Sequence, residues 1–182
     1  MPHPVFKEEL INHVPKLRAF ARSLARNPTQ ADDLVQDTLV KALANAEKFE
    51  PGSNLGAWLF TILRNQFYSQ FRKARREVED VDGRLAARLS VQPEQDGVLD
   101  LEDFKVAFSR LRADHREVLS LVGALGCSYE EAARICDCAV GTIKSRVHRA
   151  RLKLIELLGV ADEDEMMLAD TLATSKFDSA YS

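Results

Sequence analysis

Residues 128–151 read SYEEAARICDCAVGTIKSRVHRAR. Ser128, with Glu131 three positions on, is the reciprocal pattern of a helix N-terminus, in which each side chain takes the other's backbone N–H. Ala132 and Ala133 are small where a second helix has to cross closely. Asp137 falls where the chain must turn sharply, and Asp tolerates the left-handed region better than most residues other than Gly. Ile135, Cys138, Val140, Ile143 and Val147 supply an apolar seam, and the second helix projects Lys144, Ser145, Arg146, His148, Arg149 and Arg151. This is the pattern of a helix-turn-helix. With its N-terminus in a major groove, such a helix puts side chains on base edges and its flanks on phosphates. A solvated basic face on an ordinary helix hairpin is the plainer reading. The single sign of the charge, the capping box and the length of the turn argue against it.

Moving outward, helical spacing predicts helices over about 100–112, 114–125, 128–136 and 140–158. Before them, residues 77–99 lose that periodicity and contain Gly83, Pro93 and Gly97, which reads as a linker with at most a short helical piece at 83–89. In the N-terminal half, Val5, Leu10, Val14, Leu17, Ala21 and Leu24 mark a helix over 5–26 that Asn27-Pro28 ends. Thr29, with Asp32 behind it, is the expected cap of a second helix running to about Lys48 with Leu34, Val35, Leu39, Ala42 and Leu43 on its apolar face. A turn at Glu50–Asn54 leads to a third helix from about Leu55 to Arg76, apolar first and basic later. The fold class is all-α: two small helical domains joined by a flexible acidic linker. The expected boundaries are 1–77, a linker at 78–99, 100–159 and an acidic tail at 160–182. In the tail, Met166, Met167, Leu168 and Leu172 fit either an amphipathic turn that docks on a partner or a frayed end.

Charge is unevenly spread in a chain of net −3. Residues 63–76 carry five Arg and Lys and no acid, and residues 141–153 carry five more, again with no acid. Between them, residues 77–103 hold nine acids against two arginines. Two basic patches either side of an acidic strip point to nucleic acid more than the net charge does. Three cysteines are too few for a disulfide scaffold. The start, MPHPVFKEEL, lacks the apolar core of a signal peptide. No window nears the roughly 18–20 apolar residues of a membrane span. The chain reads as cytoplasmic, with no membrane partner. No Gly-rich phosphate loop, nucleophile elbow or HExxH is present, so no enzyme and no cofactor are expected. Cys136 and Cys138 with Cys127 and His148 invite a zinc site, but no CxxC is present and small buried hydrophobes are the better reading.

The helix-turn-helix segment, with its run GTIKSRVHRAR, resembles the fourth region of RNA polymerase sigma factors of the extracytoplasmic-function group (group 4). Two more segments fit in the right order. Asp33-Leu34-Val35-Gln36-Asp37-Thr38 followed by Lys41-Ala42 is similar to the second-region helix that docks on the polymerase clamp. Asn54-Leu55-Gly56-Ala57-Trp58-Leu59-Phe60 with Arg64-Asn65 is similar to the segment that opens and reads the −10 element. The likeness covers about residues 8–76 and 101–158. The wording FARSLARNPTQADDLVQDTLVKAL and EPGSNLGAWLFTILRN resembles the general-stress factors of alphaproteobacteria, the EcfG type. One departure is Asp137, where many relatives carry Gly.

The resemblance implies a division of labour. Asp33, Gln36 and Asp37 share one helix face and would meet a basic coiled coil in the clamp of the polymerase's largest subunit. A solvated acidic first turn accounts for Asp32 and Asp33 through the helix dipole but gives Gln36 no role. Asn54, Trp58, Arg64, Asn65, Tyr68, Arg72 and Arg75 would bind the −10 element, with Asn54 at the pocket of a flipped-out base. Trp58 fits either a wedge beside unstacked bases or core packing, and Arg76 adds charge. Lys144, Ser145, Arg146, His148, Arg149 and Arg151 would bind the −35 element. The partners are then core RNA polymerase, promoter DNA and an anti-sigma factor, a small helical protein of the NepR kind around which the two domains close. The acidic linker is either a solubilising tether or a segment that threads toward the polymerase active centre. The rival function is a sigma-like decoy that sequesters an anti-sigma factor without binding promoters. A lone helix-turn-helix repressor leaves the N-terminal half unexplained.

Overall fold

The computed structural model describes residues 4–25, 27–79 and 101–159, with the side chains of 4, 5 and 74–79 outside the described set. The expected piece at 83–89, nearly all of the linker, the tail and the Arg75 and Arg76 side chains therefore lie outside the described residues. Within them the order is α1 (Pro4–Leu24), α2 (Pro28–Ala44), α3 (Leu55–Glu79), α4 (Leu101–Arg110), α5 (Ala113–Leu119), α6 (Tyr129–Cys136) and α7 (Val140–Leu158), with no strand.

Leu10, Leu17, Phe20, Ala21 and Leu24 of α1 recur at helical spacing and are buried against α2 and α3. Phe20 meets Phe60 edge to face at 5.4 Å between centroids. The cap of α2 differs from expectation. Asn27, not Thr29, is the cap, and its side chain accepts the Thr29 N–H at 2.8 Å. Pro28 dictates this, because Pro has no N–H to lose and its fixed φ suits the first helical position. Asp32 is thereby released from capping and pairs with Arg18 of α1 at 3.2 Å. Asp32 and Asp33 sit beyond the first turn, which weakens the dipole explanation for them. The helix ends at Ala44, with a separate 3-10 turn at Ala46–Lys48, and Leu43 is exposed rather than packed. α3 runs three residues beyond the expected Arg76.

In the C-terminal half, the expected single helix over 114–125 is broken. α5 ends at Leu119 and a π turn follows at Ser120–Ala124, with the Leu125 N–H on Ser120 O at 2.9 Å. Ser120 contributes to the break by donating its hydroxyl to Arg116 O at 2.7 Å, which competes with the regular ladder. Ser128 and Glu131 form both halves of the capping box on α6. Asp137 takes φ 51°, ψ 54°, and Cys138 N–H closes on Ala133 O at 3.0 Å. The seam is Ile135, Cys136, Ile143, Val147, Ala150 and Leu154, whereas Cys138 and Val140 are only partly covered.

The two halves pack together, α1 against α5 and α3 against α6.

Candidate nucleic-acid interface

Three surfaces carry the predicted site residues. On α2, Asp33, Gln36 and Asp37 are all exposed, and with Asn27, Thr29, Gln30 and Gln70 they line one open groove. Val40, 65 % exposed, continues the same stripe. Burial of α2 on its Ala31, Leu34, Val35, Thr38 and Ala42 side is what turns these carboxylates outward.

The α3 surface is assembled differently from expectation. Asn54 Oδ1 accepts the Ala57 N–H at 3.0 Å and so caps α3. Its Nδ2 donates to Glu131 Oε1, a residue of the other half, at 2.7 Å. Trp58 is half-buried, with its ring 5.4 Å from Phe49 and 6.4 Å from Phe6 between centroids. Arg64 lies 4.9 Å from the Tyr68 ring centre and donates through Nε to Glu117 Oε1 at 2.7 Å. The Tyr68 hydroxyl donates to Glu117 Oε2 at 3.3 Å. Asn65 and Arg72 are exposed.

Glu117 is fully enclosed and Arg64 keeps only 18 % of its side chain exposed, so this pair is weakly screened. Burial pushes the Glu117 carboxyl up, while Arg64, Tyr68 and the Cys136 thiol pull the other way by charge and hydrogen bonds. Burial is the largest single influence and works against the Arg64 charge, but the Glu117 charge and hydrogen bond together with Cys136 and Tyr68 outweigh it, and the guanidinium is held more firmly protonated than usual. Burial and then the Glu117 charge raise the Tyr68 phenol, so it stays a donor. Next along α5, Arg116 donates through Nε to Ser23 O at 2.7 Å and through Nη2 to Leu24 O at 2.8 Å. Those are carbonyls at the end of α1, where a helix leaves acceptors without intrahelical donors.

On α7 the buried residues Ile143, Val147, Ala150 and Leu154 face the core. Lys144, Ser145, His148 and Arg149 are exposed, and Arg146 and Arg151 are partly covered. Arg149 folds back on Ser145, donating to its carbonyl at 3.1 Å and its hydroxyl at 3.2 Å. Leu152 is 53 % exposed despite its apolar side chain, and Ala150 completes the buried row.

Among the described residues no group of three His, Cys, Asp or Glu is gathered to hold a metal. Burial pushes the Cys136 thiol up to about 12 and the Cys127 thiol up to about 11. Thiolate supply limits alkylation, so at pH 8 Cys127 is expected to react on the order of 100-fold, and Cys136 on the order of 1000-fold, more slowly than cysteine in the unfolded chain. Peptide mass spectrometry after timed iodoacetamide treatment reads this directly. Rates matching the unfolded chain would contradict the enclosure of Cys136.

Sequence reasoning missed Arg116 and Glu117 and saw Glu131 only as a cap. The available signal was an adjacent charge pair set in the apolar run of α5 and the turn after it, Val118, Leu119, Leu121 and Val122. Buried charges of that kind are rare unless paired.

Residues 10–77 match the Sigma-70 region 2 family and residues 101–154 the Sigma-70 region 4 family. The chain is 57 % identical over 166 residues to the ECF RNA polymerase sigma factor EcfG of Rhodopseudomonas palustris, covering 91 % of this chain and 92 % of that one. Among solved structures it is similar to the sigma factor RpoE of Bartonella quintana in complex with the anti-sigma factor NepR. That likeness has a TM-score of 0.76 and 58 % identity, over 88 % of this chain and all of the other. A second is CnrH in complex with the cytosolic domain of CnrY, at TM-score 0.61 and 29 % identity, over 86 % and 89 % of the two chains.

Proposed function

From the premise that this chain belongs to the extracytoplasmic-function group of RNA polymerase sigma factors, we propose how its surfaces divide the work of promoter-specific initiation. The chain brings core polymerase to promoters and helps begin transcription, and it performs no catalytic step of its own. Asp33, Gln36 and Asp37 bind the polymerase clamp. Asn54, Trp58, Arg64, Asn65, Tyr68, Arg72 and Arg75 receive the −10 element, with Trp58 acting chiefly as part of the aromatic packing that supports them. Lys144, Ser145 and His148 read the −35 element, and Arg146, Arg149 and Arg151 hold its phosphates. The domain limits are 1–77 and 100–159, the regulon is one of stress, and the site of action is the cytoplasm. The anti-sigma partner is a small helical protein, as NepR is for the Bartonella factor.

The observation that carries the reading is the sidedness of α7: its apolar row is buried at 143, 147, 150 and 154, and its basic row is left outward in a half that matches region 4. A decoy has no use for that row. The test is transcription by core polymerase over a pool of promoters, with and without the chain. Start sites that appear only with the chain, at promoters sharing two spaced elements, are expected. Retained core binding with no new starts would favour the decoy.

A further inference from the structure

α5 buries Arg116, Glu117, Val118 and Leu119, so Arg112, Asp114 and His115, just before them, stay at the surface. α5 also packs along α7, and this brings His115 beside the recognition helix. The charges that act on its ring are Asp114 and Arg112 from the same turn and Arg149 and Arg146 from α7, so cations predominate. The acid among them is already engaged, since Asp114 Oδ1 accepts from Arg112 Nε at 3.2 Å. Among the described residues, Arg146 and Arg149 pair with no carboxylate, and Arg149 donates to Ser145 instead. The His115 ring is half-buried, and its enclosed Nδ1 has no hydrogen-bond partner. Enclosed polar atoms are nearly always partnered, so an orphan among gathered cations marks a place for an anion. Guanidinium groups held together repel one another, and an oxyanion between them relieves the repulsion while accepting their hydrogen bonds.

We infer that His115 is a further phosphate-holding residue of the −35 surface, contributed by α5 to the cluster that Arg146 and Arg149 form on α7. The inference rests on the −35 assignment above and adds to it a contact from outside the recognition helix. The ligand is a backbone phosphodiester, whose two free oxygens can take donors from both helices at once. Contacts of this kind fix the register of a protein on the duplex without reading sequence. One property sets His115 apart from the arginines around it: imidazole titrates near neutrality and guanidinium does not. Burial is the main influence on the ring and holds its pKa below the ordinary histidine value. Asp114 opposes that, and Arg112, Arg149 and Arg146 reinforce it. The free chain therefore carries a neutral ring at pH 7 and above. A phosphate brought against the ring favours the charged form and raises the pKa. Between the free and the bound values, binding takes up a proton, so affinity rises as pH falls through that window. The hold on the −35 element is thus graded by pH at a residue that reads no base.

The experiment measures holoenzyme binding to duplexes with matched and scrambled −35 elements at pH 6 and pH 8, at several salt concentrations. It compares the parent chain with His115→Gln, which cannot titrate, and His115→Arg, which stays charged. Ratios of parent to variant cancel the titration of the polymerase and of His148. His115→Gln is expected to weaken binding about 10-fold at pH 6 and about 2-fold at pH 8, on both duplexes alike. It should lower the salt slope by about one at the lower pH only. His115→Arg is expected to bind at pH 8 at least as tightly as the parent and to lose the parent's gain on acidification. A side chain that serves packing alone changes affinity by one factor at both pH values. An equal loss with His115→Gln at pH 6 and pH 8, or a loss confined to the matched element, overturns the inference. Should His115→Gln fail to fold by circular dichroism, His115→Arg decides, and a pH response like the parent's overturns the inference. So does loss of the parent's advantage in inorganic phosphate at matched ionic strength, which would make the ligand a free anion rather than DNA. If the parent holoenzyme does not tell the matched from the scrambled element, the −35 assignment beneath it fails instead.

Discussion

Replacing Asp33 and Asp37 by Arg is expected to abolish working affinity for core polymerase while the chain stays folded. Both carboxylates are exposed on α2, and neither belongs to its buried row. Among the described residues their one side-chain contact is a long one, Gln70 Nε2 donating to Asp37 Oδ2 at 3.4 Å, so little internal energy is lost. Surface changes of that kind usually leave stability within about 0.5 kcal/mol. At the interface the effect is of another order. On the proposed clamp assignment, two acids that would face a basic coiled coil become two cations facing it, and like charge held together at an interface costs several kcal/mol. A loss of at least 100-fold in core affinity follows, since each 1.4 kcal/mol is about tenfold. Pull-down of core polymerase reads the affinity and circular dichroism reads the fold. Normal core binding by a chain of unchanged helicity would remove Asp33 and Asp37 from the clamp surface.

The second large effect belongs to the recognition helix. Lys144, Ser145 and His148 form one exposed stripe near the start of α7, opposite the buried Ile143, Val147 and Ala150. A side chain that reads a base edge discriminates by about 1–3 kcal/mol, whereas a phosphate contact weakens all sequences alike and lowers the salt slope by about one. Lys144→Ala is therefore expected to shrink the ratio of binding on matched and scrambled −35 elements by roughly 5- to 150-fold. Arg149→Ala should weaken both and leave the ratio alone. Arg151 is a poorer choice for that comparison because it is partly covered, and its loss disturbs the domain as well as the contact. Holoenzyme binding at several salt concentrations separates the two behaviours. An unchanged ratio with Lys144→Ala would move base reading to other side chains.

The parts of the fold legible in the sequence were those governed by short-range rules. Ser128 and Glu131 are three residues apart and cap the helix they predict, and Asp137 adopts the left-handed turn its position requires. The shift of the α2 cap to Asn27 was also local, and the clue was Pro28 at the first helical position. The exposed Leu152 shows that apolar spacing alone does not say which of two adjacent rows is buried. Ala150 completes the 143, 147, 150, 154 row, and small residues carry little weight in a hydrophobic pattern. The α5 break at Ser120 turned on one hydroxyl competing with the backbone, a choice that periodicity does not report.

The candidate site was legible as a set of residues but not as an arrangement. Asn54, Arg64 and Tyr68 were found, whereas their partners Glu131 and Glu117 lie 77, 53 and 49 positions away in the chain. Contacts of that separation leave no spacing to read. What the sequence did offer was Arg116-Glu117, two charges in an apolar run, each of which required a partner from somewhere else.

Strand opening at the −10 element tests most directly the claim that this chain turns core polymerase into a promoter-specific enzyme. Core polymerase with and without the chain is placed on a promoter recovered from the pool, and unpaired thymines are probed with permanganate. Reactive thymines confined to the −10 region, present only with the chain and lost when the −35 element is scrambled, are the predicted result. A chain that binds core polymerase yet leaves the −10 thymines unreactive on every promoter of the pool would contradict it.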